Sequence, residues 1–221
     1  MNKKQSNSIK RAIILKCRLL EKIGYFIGTW GNVSVRVEEG FVITPSRLSY
    51  DVMTVEDFVT LNLEGTVLHG HRLPSSETDL HRALYRKRKD IGAIIHSHSP
   101  YASAVSCLRW SIPPIVEDLA QVAGGRINCA RYVPGGRHQH LARAAAASIG
   151  EVNAVLLANH GVVACGCDLD EAFVTSQILE KAALLLLLGA RLGKVHSIPD
   201  KFVREERHRY LYKYGTAKDF H

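Results

Sequence analysis

The first periodic segment is helical. Between residues 8 and 23, Ile9, Ala12, Ile13, Leu19, Leu20 and Ile23 fall on one helical face, and Gly24 supplies a stop. The period then changes to two. Val33, Val35 and Val37 alternate with Ser34 and Arg36 over Asn32 to Val37, Glu39-Gly40 can turn the chain, and Phe41 to Thr44 returns as a hairpin partner. Phe58 to Leu63 reads as a further strand. Ser75 or Ser76 can cap a helix running to Lys89, with Glu77 and Asp79 in its acidic first turn. Ile91 to His96 is rich in β-formers, Pro100-Tyr101 opens a short helix to Leu108, and Ile112 to Val116 is extended. Gly124-Gly125 and Gly135-Gly136 break the chain before an Ala-rich helix, Leu141 to Ile149. Ala154 to Ala158 and Val162 to Cys165 are strands around a turn at His160-Gly161. A long helix runs from Asp168 to Leu192, and a charged one starts at Pro199. Mixed elements with early hairpins favour an α/β fold with a mixed or mostly antiparallel sheet over a strict βαβ repeat. No internal repeat, low-complexity stretch or linker divides the 221 residues, so one domain is expected over 1–221.

Charge changes the picture only modestly. The net charge of +8 suits phosphate, nucleic acid or a membrane surface, and equally a solvated basic face. The run Arg86 to Lys89 ends a helix, where cations favour the dipole, and no stacking-aromatic motif or zinc finger supports a nucleic-acid partner. The longest apolar run, Ala182 to Leu188 and on through Ala190, is bounded by Lys181 and Arg191 and is too short to span a bilayer. Lys3, Lys4 and Lys10 precede no long apolar core, so no signal peptide is expected. The five cysteines, an odd number without zinc-finger spacing, read as reduced thiols of a cytoplasmic protein. Cys165-Gly-Cys167 has metal-binding chemistry, but the alternation of a buried strand also accounts for it. Neither nucleic acid nor membrane is an expected partner.

The candidate chemistry is concentrated in histidines and one glutamate. In His96-Ser97-His98, positions i and i+2 of a strand point to one face, so two imidazoles can meet one ion; two polar residues at a strand end are the plainer alternative. His160 leaves a buried apolar run just before Gly161, either as a third ligand or as a satisfied core histidine. Glu77, in Pro74-Ser75-Ser76-Glu77, is a helix-start carboxylate, and that start also offers donors to an anion. Three imidazoles and a carboxylate suit a divalent ion such as zinc. Gly28 to Ser34 is a Gly-rich turn with Asn and Ser donors, and Thr44-Pro45-Ser46 ends the next strand. Together with the two serines these loops make a phosphate cradle.

Taken in order, Gly-Thr-x-Gly-Asn-x-Ser, Thr-Pro-Ser, Pro-Ser-Ser-Glu, His-x-His and a distal Asn-His-Gly resemble the class II aldolase and epimerase family, over residues 9 to 216. That resemblance implies a three-layer α/β/α fold with a central, mainly antiparallel sheet, the class II aldolase (adducin head-like) fold. It also implies a C4 homotetramer with sites at subunit interfaces. The metal ligands would be His96, His98 and His160, with Glu77 as fourth ligand or acid/base, holding one Zn²⁺, or Mn²⁺, Co²⁺ or Fe²⁺, per subunit. The phosphate site would comprise Asn32, Ser46, Ser75 and Ser76, with Thr29 and Gly31 shaping the loop.

The branch implied is the aldolase one. Tyr50 to Thr54 resembles the 4-epimerases. Against that branch stand Glu77 where those carry Asp, Thr44 where they carry Lys, a shorter segment before His160, and Phe220 where they place a tyrosine. Tyr214-Gly215 resembles the aldolase C-terminus. Departures from it are Asp118 in place of a catalytic tyrosine, Gly135 in place of an aromatic, and Arg47 in place of a glycine. Asp118 or Tyr214 would serve as second acid/base, and Arg47 as a phosphate contact, a carboxylate reader or an exposed turn charge. The implied reaction cleaves L-fuculose-1-phosphate or a similar deoxy-ketose 1-phosphate to dihydroxyacetone phosphate and an aldehyde through a metal-stabilised enediolate. A ribulose-phosphate 4-epimerase, a methylthioribulose-1-phosphate dehydratase and a 3-oxo-acid phosphate decarboxylase share that chemistry. Retention of all three histidines and Glu77 argues against an adducin-like interaction domain.

Overall fold

The computed structural model describes residues 3–214; Gly215 and Phe220, two residues of the C-terminal comparison, lie outside them. Helix α1 (Lys3–Lys22) begins five residues before its apolar period does and buries Ile13, Cys17 and Leu20. β1 (Asn32–Val37) and β2 (Gly40–Ile43) form the expected hairpin, with Val37 opposite Gly40. A 3-10 turn at Val55–Asp57 precedes β3 (Val59–Leu61) and β4 (Val67–His69). Then follow α2 (Thr78–Lys87), β5 (Ala93–Ser97), α3 (Pro100–Leu108), α4 (Glu117–Ala123), β6 (Cys129–Ala130) and α5 (His138–Ser148). β7 (Ala154–Leu157), β8 (Gly161–Gly166), α6 (Leu169–Leu192) and α7 (Asp200–Tyr212) complete the order.

The eight strands form one sheet in the order β4-β3-β2-β1-β5-β8-β7-β6. Every neighbouring pair is antiparallel except β6 with β7. The expected mainly antiparallel sheet between helical layers is therefore what the chain builds. On one face, Ile43, Ile94, Val155 and Val163 pack under α2 and α5. On the other, Val33, Val42 and Ile95 lie under α1 and the start of α6, while Leu156 and Val162 lie under α3, α4 and the rest of α6.

Several boundaries differ from the sequence expectation, each for a physical reason. Helix α2 starts at Thr78, so Glu77 is its N-cap residue rather than part of its first turn, and its side chain makes no capping bond. Strand β4 is exposed along its length and β6 has two residues, so neither carries a burial period. Helix α4 has seven residues and Val116 at its N-cap, without a capping side chain. Ile112 to Val116 forms no strand: Ile112 is buried in the core but its backbone makes only an isolated bridge to Ile127. Helix α6 is long and apolar enough, by length and composition, to cross a membrane, which the shorter run Ala182 to Leu188 is not. Here its Thr175, Leu179, Ala182 and Ala183 are buried against the sheet and its neighbouring helices.

The same helix carries a buried carboxylate. Glu180 is 6% exposed and accepts from the Tyr101 and Ala102 backbone N–H groups, both at 2.8 Å. It thus satisfies two orphan donors in the first turn of α3, the helix that follows His98. Replacing Glu180 with Ala is expected to cost about 3 kcal/mol, the scale of losing charge-assisted bonds to a buried helix end, and Gln appreciably less. Urea denaturation with an unchanged m-value checks this; a loss under about 1 kcal/mol would show that water replaces the carboxylate.

Candidate metal centre and substrate cavity

His96 lies at the end of β5, fully buried on the α2/α5 face, and His98 follows just past the strand, one period of two further on. Their Nε2 atoms are 3.0 Å apart. His160 arrives from the β7–β8 turn, where Asn159 takes the left-handed conformation (φ 56°), a region that Asn tolerates better than most residues. Gly161 makes the meeting possible: a Cβ there would lie 2.5 Å from the Ser97 carbonyl oxygen and 2.7 Å from the His98 ring. One ligand nitrogen from each histidine lies within 4.8 Å of the other two.

Glu77 turns away from its own helix toward this cluster. Its Oε2 is 3.0 Å from His96 Nε2 and its Oε1 3.1 Å from His160 Nε2. The capping role that a helix-start carboxylate suggests is therefore not the one it performs. His96 Nδ1–H donates to the Val162 carbonyl at 2.9 Å, which directs Nε2 at the cluster.

Electrostatics follow from this crowding. Burial pushes the Glu77 carboxyl up, but the charge of His96, the bond from His160 and the bond from His96 outweigh it and hold the group well below the usual carboxylate range. Burial lowers His96, yet Glu77 beside it leaves His96 raised overall. His98 is held down to about 3 by burial and by repulsion from His96 and His160. Glu77 and His96 thus favour each other's charged forms, while His98 is driven toward its neutral form. Three convergent imidazole nitrogens and one carboxylate form an N₃O donor set that fits a divalent cation.

The cluster forms part of the wall of a cavity of about 810 Å³. All the residues expected at a phosphate site line it: Thr29, Gly31, Asn32, Ser46, Ser75 and Ser76, with Arg47 among them. Gly31 (φ 135°) packs its loop on Phe26, whose ring a Cβ would meet at 2.3 Å. Arg47 also has positive φ (58°), which explains why a glycine suits that turn. Asn32 gives one N–H to Glu77 Oε2 at 2.8 Å. Trp30, Tyr132, Arg137 and His138 also line the cavity and were not singled out by sequence. The Gly135-Gly136 pair beside them is the available signal, which sequence reads as a chain break and, at Gly135, as a departure from the aldolase pattern.

Asp118 and Tyr214 are not brought to this cavity within one chain. Asp118, on α4, pairs with Lys181 of α6. Tyr214 follows α7, is exposed, and stacks near Tyr210 at 5.9 Å between centroids. Cys165 is buried in β8 and Cys167 is exposed beyond it, and neither belongs to the histidine cluster.

Residues 11–187 match the family described as Class II Aldolase and Adducin N-terminal domain. A 5-deoxy-D-ribulose 1-phosphate aldolase of Bacillus thuringiensis serovar kurstaki is 42% identical over 175 residues, covering 78% of this chain and 81% of that protein. An L-fuculose phosphate aldolase of Escherichia coli K12 is 36% identical over 183 residues, 83% of this chain and 84% of its own. A solved structure of L-fuculose 1-phosphate aldolase superposes with a TM-score of 0.88 at 33% identity, over 93% of this chain and 97% of that one.

The donor set generates two expectations. Purified protein should carry about one divalent cation per chain by elemental analysis, and His96→Ala or His98→Ala should lose it; full occupancy in the double alanine variant would sink the assignment. Because Glu77 favours a proton on His96, a cation binding there competes with that proton, so affinity should fall as pH falls. Calorimetry in buffers of different ionisation enthalpy should read net proton release on cation binding that grows as pH falls.

Proposed function

Because the chain belongs to the class II aldolase and adducin N-terminal domain family and is a carbon–carbon lyase of it, we propose that it cleaves a deoxy-ketose 1-phosphate. L-Fuculose-1-phosphate or 5-deoxyribulose-1-phosphate is the type of substrate, and dihydroxyacetone phosphate and an aldehyde are the products. The observation that carries this reading is the shared cavity. One wall gathers Glu77, His98 and His160, while Asn32, Ser46, Ser75 and Ser76 supply small-residue donors suited to a phosphate. The names of the relatives support the substrate class. We take residues 1–221 as one catalytic domain.

His96, His98, His160 and Glu77 would hold the cation, with zinc favoured by the N₃O set. When bound, that ion supplies Lewis acidity toward the substrate's C2 and C3 oxygens, lowering the energy of the charge that develops as C3–C4 breaks. The rest of the chemistry belongs to the chain's own residues. Ser46, Ser75, Ser76 and the free N–H of Asn32 bind the phosphate and orient the carbon skeleton. Arg47 and Arg137 add positive charge to the same cavity. Glu77, on the cavity wall, would carry the proton to C3. The proton on the C4 hydroxyl needs a second group, assigned to Asp118 or Tyr214 of a neighbouring copy in a homotetramer whose interfaces complete the site. Trp30, at 68% exposed on the cavity wall, and Leu73, at 80% exposed, are apolar surface that such an interface would cover.

A panel of ketose 1- and 5-phosphates offered to zinc-loaded protein, with dihydroxyacetone phosphate measured enzymatically, tests the reading. Release from a deoxy-ketose 1-phosphate, abolished by chelation, is expected; epimerised or dehydrated product without it would replace the reading. Glu77→Gln should keep most of the metal yet lose at least about a hundredfold in kcat, the scale of a missing general acid/base. Exchange of the C3 proton of dihydroxyacetone phosphate with deuterated water should fall in parallel, and wild-type exchange would move the base role elsewhere. Ser76→Ala should raise KM for the phosphorylated substrate far more than for its dephosphorylated analogue; equal effects would reduce the serines to local structure.

A further inference from the structure

Behind Glu77 runs a file of buried polar side chains of which the reaction above uses only Asn32. Tyr85 OH lies 2.8 Å from Ser34 Oγ, Ser34 Oγ 2.6 Å from His81 Nδ1, and His81 Nε2 2.5 Å from Asn32 Oδ1. The Asn32 amide nitrogen then donates to Glu77 Oε2 at 2.8 Å. Asn32 is 5% exposed, Tyr85 1%, and Ser34 and His81 not at all. Helix α2 supplies His81 and Tyr85, one and two turns on from Glu77, and β1 supplies Asn32 and Ser34.

The direction of every bond is set from one end. An ionised carboxylate only accepts, so Asn32 presents its NH₂ to Glu77 and its oxygen to His81. That oxygen only accepts, so His81 Nε2 carries the proton. A neutral ring then accepts at Nδ1, from the Ser34 hydroxyl, which in turn accepts from Tyr85. Burial, and the charge of His96, keep His81 neutral by holding it down to about 3, although Glu77 acts in the opposite sense. An amide orientation and a tautomer that are ordinarily open choices are here both determined.

We propose that His81 is a positioning residue. Held as its Nε2–H tautomer by Ser34 and Tyr85, it locks the Asn32 amide with its NH₂ toward Glu77 and so keeps the carboxylate against His96 and His160. A flipped Asn32 would set its oxygen against the carboxylate and repel it from the cluster. The lock also fixes where the second Asn32 N–H points, the one left for the substrate. This rests on the proposed role of Glu77 for its kinetic consequence, and for the tautomer on the hydrogen-bond geometry together with the burial that favours a neutral ring.

The test has a spectroscopic and a kinetic arm. In zinc-loaded protein labelled with ¹⁵N-histidine, the His81 ring, assigned by its loss in His81→Gln, should show the neutral Nε2–H pattern at neutral pH. An Nδ1–H or doubly protonated ring overturns the proposal, whatever substrate the enzyme takes. His81→Leu should lower kcat at least about tenfold with metal content within about twofold of wild type, the usual scale for groups behind a metal ligand. His81→Gln, which retains a donor at the Nε2 position, should recover most of that loss. Equal kcat in the two variants overturns the proposal, since a merely structural histidine would fail alike in both. Should His81→Leu not fold, Ser34→Ala removes the hydroxyl that fixes the tautomer: a several-fold drop in kcat at near-native Tm is expected, and an unchanged kcat overturns it. Failure of every ketose phosphate to react would count against the lyase substrate reading and leave the nitrogen spectrum to decide this one.

Discussion

The site depends on the register of one strand. β5 lies between β1 and β8, with His96 opposite Asn32 on one side and Val163 on the other. That row faces α2, the helix that brings Glu77 and His81. A slip of one residue would carry His96 to the α1 face and bring Ile95 to the metal side, because strand side chains alternate. Hydrophobic burial prevents the slip: Ile94 belongs to the α2/α5 core, and Ala93 and Ile95 to the opposite one. The apolar residues of β5 thus hold its histidine in place, and the energy that stabilises the fold also sets the geometry of the site.

Packing then brings the remaining ligand positions to the same point. His160 depends on a turn that closes only if the next residue lacks a Cβ, since β8 begins against Ser97 and His98. Glu77 depends on standing at the N-cap of α2 without making the capping bond, which leaves its side chain free for the cluster. Neither feature adds stability of its own. Each removes an alternative for a polar side chain, and a site that needs a carboxylate within 3.1 Å of two imidazoles gains more from such exclusions than from added contacts.

Much of this was legible from period and motif. The strand period of two correctly put His96 and His98 on one side, and the order of short motifs pointed to the family before any geometry. The misses share a cause. Alternation in β1 reads Val33 and Val35 as inward and Ser34 as outward, but both faces of this sheet are covered by helices, so Ser34 is as buried as Val33. In α2, His81 sits on the buried face with Leu80, Leu84 and Tyr85, where a periodicity reading expects only apolar side chains. Polar residues in core positions are where local pattern and global structure disagree, and such disagreements gather at functional sites. Helix α4 and β6 were missed for the plainer reason that they are short and uncapped.

The buried polar file also has an energetic logic. A largely buried carboxylate beside three imidazoles is costly unless its lone pairs and their protons have partners, and a half-satisfied network costs more than an apolar core. Asn32, His81, Ser34 and Tyr85 satisfy one another in sequence, ending on a phenol whose own ionisation is suppressed by burial. Because the partners behind Glu77 are an amide, a hydroxyl, a phenol and a histidine that burial drives toward its neutral form, the file brings no second charge into the core, and the charge balance of the cluster is left to Glu77 and the three histidines.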